Sequence, residues 1–329
     1  MSAPLDAEAL ASAVGRHLGE TVTIEGLRRL SGGASRETWS FDAAAASGER
    51  HALVLRRDPG EHPGWSERGI EFALLEAAYA GGVAVPRVWF LLEKDDDLGA
   101  GFVMSRVDGE TIPRRILRDD AYASARPLLA RQSGEQAARI HALDPSVLPE
   151  LPVQGVREQI EQYRAYLDGF GEPHPAFELG LRWLAERTPA DPPRPVLVHG
   201  DFRNGNIVVG PSGIRAVLDW ELAHLGDPVE DLGWLCVKSW RFGVNDRRVG
   251  GFGDVDDLLD GYRAAGGREV DPAALRYWEV FGTLKWGVIC EVQAFTHLNG
   301  AVRSVELATI GRRVAEMEWD LLDLIEREA

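Results

Sequence analysis

The sequence predicts an α+β architecture in which a small antiparallel-sheet lobe precedes a larger, mainly helical lobe. Three observations lead to it. Strand-like alternation dominates about the first hundred residues, helical periodicity dominates from Ile112 onward, and one compact island of strand, PVLVHGDFRNGNIVVGPSGIRAVLDWE, interrupts the helical half. A length of 329 residues suits two domains or one two-lobed unit.

Taken in order, residues 6–18 read as a helix, followed by strand-like segments at 21–30 and 37–42. The alanine run at 43–46, beside Ser47 and Gly48, reads as a hairpin loop, after which residues 51–56 (HALVLR) alternate in and out as a strand. Ile70, Leu74, Leu75 and Ala78 place a helix over 67–80, ended by Gly81-Gly82. VPRVWFLL and GFVMSRV supply two more strands. Helical patterns then cover 124–142, 154–169, 175–187, 272–297 and 301–327.

Composition excludes several function classes. A net charge of −16 argues against nonspecific binding to nucleic acid or anionic membranes, which needs a basic surface. It suits a cationic partner, but it also serves solubility alone. Two cysteines, Cys236 and Cys290, provide neither a disulfide framework nor a cysteine-based zinc site, and read as buried thiols. The first residues carry acidic side chains and no uninterrupted apolar core, unlike a secretory signal or membrane span, so a cytoplasmic location is expected. Oligomeric state has no signature here.

The island concentrates the chemistry. An apolar strand over 196–198 delivers the chain into a polar loop, 199–206, whose Gly200 and Gly205 permit tight backbone geometry. Two further strands, 207–209 and 214–218, flank a Gly-Pro-Ser-Gly turn and should pair antiparallel. Asp201, Asn206 and Asp219 supply hard oxygens, the donor type that Mg²⁺ prefers. Asp201 and Asn206 stand five apart and Asp219 follows a strand, as in the phosphoryl-transfer template: a base for the hydroxyl proton, then two metal ligands. Arg203 would direct positive charge at the transferring group, or else pair with a neighbouring carboxylate.

At these residues the sequence resembles the aminoglycoside phosphotransferase and choline kinase-like family. HGDFRNGN and VLDWE are similar to its catalytic-loop and metal-binding motifs, and LGDPVEDLGWL to the segment that follows them. The resemblance implies a protein-kinase-like, two-lobed fold: a nucleotide-binding lobe over 1–103, a hinge at 104–109, and a catalytic and acceptor-binding lobe over 110–329. It also implies ATP, with GTP not excluded, together with Mg²⁺ and a small hydroxyl-bearing acceptor. Within LSGGASRETW, Ser31, Gly32, Gly33 and Ser35 would cover the phosphates. Arg56 stands where the family has a phosphate-pairing lysine, Glu71 matches that residue's carboxylate partner, and Met104 opens the hinge. Arginine keeps the charge but not the shape, so the exchange is not neutral. His199 would orient the loop, Asp227 and Asp231 would brace it and cap a helix, and His141 would be structural.

Two other readings use the same residues. His199, Asp201, Asp219, His224 and Asp227 could serve a metal-dependent hydrolase, which leaves Arg56 and Glu71 without a role. A nucleotide-binding regulator without turnover would fit Arg56 but not the complete set of Asp201, Asn206 and Asp219.

Overall fold

In the computed structural model, which describes residues 5–30, 37–58 and 66–326, the first element is α1 (Ala7–Leu18). Asp6 caps it, accepting the N–H groups of Glu8 and Ala9 at 2.8 and 3.3 Å. Then come β1 (Val22–Leu30), β2 (Glu37–Ala45), β3 (Arg50–Asp58), α2 (Ser66–Ala80), β4 (Val88–Leu91) and β5 (Ala100–Ser105). The five strands form one antiparallel sheet in the order β1-β2-β3-β5-β4. Leu10, Ala13 and Val14 of α1 close over Phe41, Leu53 and Leu55 in a single apolar cluster.

The alanine run corrects the expectation of a loop. β2 runs through Ala45, because Ala43 and Ala45 alternate inward into the cluster beneath α1, and side chains this small admit the helix. The turn falls later, where Gly48 donates its N–H to Ala45 O at 2.9 Å.

The chain divides into two compact units. One comprises Met1–Asp108, Val147–Glu150 and Arg215–Glu221, and the other comprises the remainder. The second unit holds α3 (Pro113–Arg118), α4 (Arg126–His141), α5 (Val156–Phe170) and α6 (Pro175–Glu186). Next are β6 (Val196–Val198), β7 (Ile207–Gly210), β8 (Gly213–Val217), which carries the chain into the first unit, and β9 (His224–Gly226). The rest is α7 (Val229–Cys236), α8 (Val255–Ala264), α9 (Pro272–Leu298), α10 (Val305–Gly311) and α11 (Val314–Glu326). The sheet-then-helix order is the α+β, protein-kinase-like arrangement that the sequence predicts.

Helix α9 is the spine of the second unit. Its Trp278, Phe281 and Leu284 are buried with Phe177 and Leu181 of α6 and Leu321 of α11. A second crossing, α4 on α8, is closer: a Cβ on Gly134 would lie 2.0 Å from Leu258 O, and one on Gly261 1.9 Å from Arg131 O. The expected helix over 301–327 is two helices. α10 starts on a Ser304 cap and ends at Gly311, where the absence of a side chain admits close packing on Ala294 of α9, and α11 begins at Val314. Cys236 and Cys290 are free and buried. Among the described residues, no helix is long and apolar enough to cross a membrane.

Candidate active site

The loop over 199–206 is built from its entry. β6 pairs antiparallel with β9, setting Val198 opposite His224, and hands the chain to His199 and Gly200. Gly200 lies at φ 79°, and a Cβ there would sit 2.3 Å from Leu222 O, so only glycine fits this turn. Asp231, fully buried in the first turn of α7, ties the turn down. Its two oxygens accept the N–H groups of His199 and Gly200 at 2.8 and 2.9 Å, and His141 Nε2 donates to Oδ2 at 3.0 Å. Burial would raise the Asp231 carboxyl, but His141 and the donors from His199 outweigh it and hold the group below its ordinary value. The bracing role expected of Asp231 is therefore performed on the backbone that leads to Asp201, and His141 acts through Asp231.

Asp201 is gripped on both carboxylate oxygens. Oδ1 accepts from Arg203 Nε at 3.0 Å and from Trp234 Nε1 at 2.8 Å, and Oδ2 accepts from Asn206 Nδ2 at 2.6 Å. The Asp201 N–H donates to His199 Nδ1 at 3.2 Å, which makes His199 an orienting group. Asn206 Nδ2 also donates to Asp201 O at 2.9 Å, so the amide is fixed with its nitrogen turned to Asp201. Arg203 lies 4.5 Å from the ring centre of Trp240 as well as on Asp201, the carboxylate pairing left open by the sequence.

Sequence reasoning singles out neither Lys285 nor the donor role of Trp234 toward Asp201. Lys285 of α9 is buried, donating from Nζ to Gly200 O and to Glu230 Oε1, both at 3.2 Å, and it lies 4.9 Å from the Trp234 ring centre. Glu230 also accepts from Gln159 at 2.8 Å and faces His224 Nε2 at 3.2 Å. Burial pushes the Glu230 carboxyl up, yet Lys285 and His224 prevail and bring it down to about 2. The available signal was a lone lysine in the otherwise apolar run TLKWGVIC.

In the sheet unit, Arg56 on β3 meets three carboxylates: Glu71 Oε1 of α2 at 3.2 Å, Glu221 Oε1 at 3.0 Å and Asp219 Oδ1 at 3.4 Å. The Arg56–Glu71 pair thus exists as expected. Arg68, unread in the sequence, grips Asp58 at 3.0 and 3.1 Å and also bonds Glu71. Asp219 lies at φ 69°, a left-handed conformation unusual for a residue with a side chain, and its side chain is 39% exposed. Met104 is buried in β5 between Val54 and Val88. Ser31, Gly32, Gly33 and Ser35 lie outside the described residues.

The hydrolase ligand set is not assembled. His224 has both nitrogens engaged, by Leu222 O at 2.9 Å and by Glu230, while Asp227 caps Val229 and pairs with Arg268.

A family model described as the phosphotransferase enzyme family matches residues 26–278. The chain belongs to that family. Its fold is protein-kinase-like. Among solved structures, the phosphotransferase resembles a candidate aminoglycoside phosphotransferase from Ralstonia eutropha, at 21% identity and TM-score 0.77 over 98% of this chain and 99% of that one. It also resembles the macrolide 2'-phosphotransferase MphH from Brachybacterium faecium, at 21% identity and TM-score 0.64 over 93% and 97% of the two chains. A third is the spectinomycin phosphotransferase APH(9)-Ia, solved with ADP and spectinomycin, at 15% identity and TM-score 0.66 over 98% and 99%. Curated relatives include acyl-CoA dehydrogenase family member 10 of Mus musculus, 33% identical over 57% of this chain and 18% of that protein. Family member 11 of Gallus gallus is 30% identical over 63% and 27%. The phosphotransferase therefore spans less than a third of the length of these relatives.

Proposed function

We propose that the phosphotransferase moves the γ-phosphoryl group of ATP to a hydroxyl of a small molecule in a Mg²⁺-dependent reaction, with Asp201 receiving the hydroxyl proton. The observation that supports it most is the three-donor grip on the Asp201 carboxylate, which sets the direction of a proton acceptor in advance. Asn206 and Asp219 are the proposed Mg²⁺ ligands. Their donors are hard oxygens, and the fixed amide of Asn206 leaves Oδ1 as its ligand atom. The ion, when bound, neutralises phosphate charge and orients the nucleotide. Arg203 holds Asp201 and supplies positive charge beside the transferring group.

Arg56, kept in place by Glu71, is the proposed phosphate-pairing cation in place of the family's lysine, with Ser31, Gly32, Gly33 and Ser35 covering the phosphates and Met104 bordering the adenine. Residues 1–103 and 110–329 would act as nucleotide and acceptor lobes about a 104–109 hinge. For the acceptor we favour a hydroxyacyl thioester, because the curated relatives are named as acyl-CoA dehydrogenase family members.

The test is ADP release by the purified chain with ATP or GTP and Mg²⁺. Hydroxyacyl-CoA thioesters, amino alcohols and aminoglycosides serve as acceptors. Turnover should appear with the thioesters, and D201A should abolish it while nucleotide still raises Tm. Equal activity in D201A sinks the proton-acceptor assignment, turnover with another acceptor alone rejects the thioester, and ATP binding without any turnover favours the regulator.

A further inference from the structure

The helical unit carries a second cluster of ionisable groups that phosphoryl transfer does not use. His174, the cap residue of α6, stands between carboxylates of two other helices. Its Nδ1 lies 3.0 Å from Glu318 Oε1 of α11, and its Nε2 lies 3.1 Å from Glu291 Oε1 of α9. Glu172 completes the group: one ligand atom from each of Glu172, His174 and Glu291 lies within 4.8 Å of the other two.

Glu291 gives the decisive detail. It is only 7% exposed, and its Oε2 is buried with no hydrogen-bond partner among the described residues. A buried carboxylate oxygen left without a donor is costly unless a cation meets it. Three carboxylates, those of Glu172, Glu291 and Glu318, thus surround one imidazole.

We propose that Glu172, His174 and Glu291 bind one divalent transition-metal ion of the Zn²⁺ type. His174 is arranged for it: with Nδ1–H donating to Glu318, a metal would take the place of the Nε2 proton that faces Glu291, giving the carboxylate–histidine–metal arrangement of zinc sites. One imidazole and two carboxylates make three protein ligands, with water in the fourth position. Imidazole selects against Mg²⁺ and Ca²⁺, which take oxygen donors. On binding, a metal replaces any proton on Nε2, which leaves to solvent. The site joins the start of α6 to α9, and through Glu318 to α11, so its role is to clamp these helices.

The test is calorimetric titration of the chelator-stripped full chain with ZnCl₂, in excess Mg²⁺ to occupy the catalytic ligands. Thermal unfolding is followed in parallel. One Zn²⁺ should bind per chain and raise Tm. H174Q should remove this binding, and E172Q, an exposed substitution that leaves the buried pairs intact, should weaken it by at least about tenfold. If H174Q fails to fold, E172Q decides alone. Absence of saturable Zn²⁺ uptake, or uptake undiminished in either folded variant, overturns the proposal. Because neither residue belongs to the phosphoryl-transfer machinery, their kinase activity reads that proposal separately.

Discussion

At the residue scale, the direction of the Asp201 carboxylate depends on a tryptophan 33 positions later in the chain. W234F removes one N–H donor while keeping most of the ring contact with Trp240. A hydrogen bond to a charged group is worth roughly 1.5–3 kcal/mol, so kcat should fall about tenfold or more with little change in the nucleotide KM, measured by ADP release. An equal loss in kcat and rise in KM would assign Trp234 to substrate binding instead. That Asp201 and Asn206 share one short loop was legible in their spacing, but the hydrogen bond between them was not. Nor were the contacts of Trp234 and Lys285 with the loop, since each reaches it from a separate helix and no local pattern records which face of a buried helix meets which loop. Arg68 escaped for a similar reason: it reads as an ordinary charge on α2 until Asp58 at the end of β3 is seen to face it.

At the element scale, what was readable follows from periodicity. α1, α2, α4, α5, α6 and α9 repeat apolar residues at helical spacing, and the structure places their bounds within about two residues of those expected. α3 is a single short run, and α8 carries Gly261, which weakens a helix intrinsically. In the folded chain that glycine is what permits the α4–α8 crossing. G134A should accordingly destabilise by roughly 1–3 kcal/mol or more, because its methyl would overlap the backbone of the facing helix and force the pair apart. Urea unfolding measures it, and a stabilised variant, the result expected from helix propensity alone, would show that the crossing yields easily.

For the whole molecule, the buried Glu230–Lys285–His224 network links fold stability to pH. The folded Glu230 carboxyl sits at about 2, below its ordinary 4.5, so the unfolded chain binds its proton first as acid is added. The contribution is fully present above pH 4.5 and is lost progressively as pH falls toward 2. The shift corresponds to roughly 3 kcal/mol at 1.36 kcal/mol per unit. E230Q should be less stable at neutral pH, since Lys285 would keep its buried charge without the partner, and should lose less stability on acidification from pH 6 to about 3 in a urea series. An acid limb as steep as that of the parent chain would place the linkage on other groups. The two-unit organisation was legible as a change from strand to helix. The route by which residues 215–221 return to the sheet unit was not, because that return depends on non-local pairing such as the Val217 N–H with Ala84 O at 2.7 Å.

The left-handed backbone at Asp219 bears on how its proposed ligand role is best tested. Asparagine tolerates that conformation at least as readily as aspartate, whereas alanine resists it. D219N therefore subtracts charge alone, while D219A also bends the segment that carries Glu221 and its contact with Arg56. Compared side by side, the two separate loss of the proposed ligand charge from displacement of a strand end.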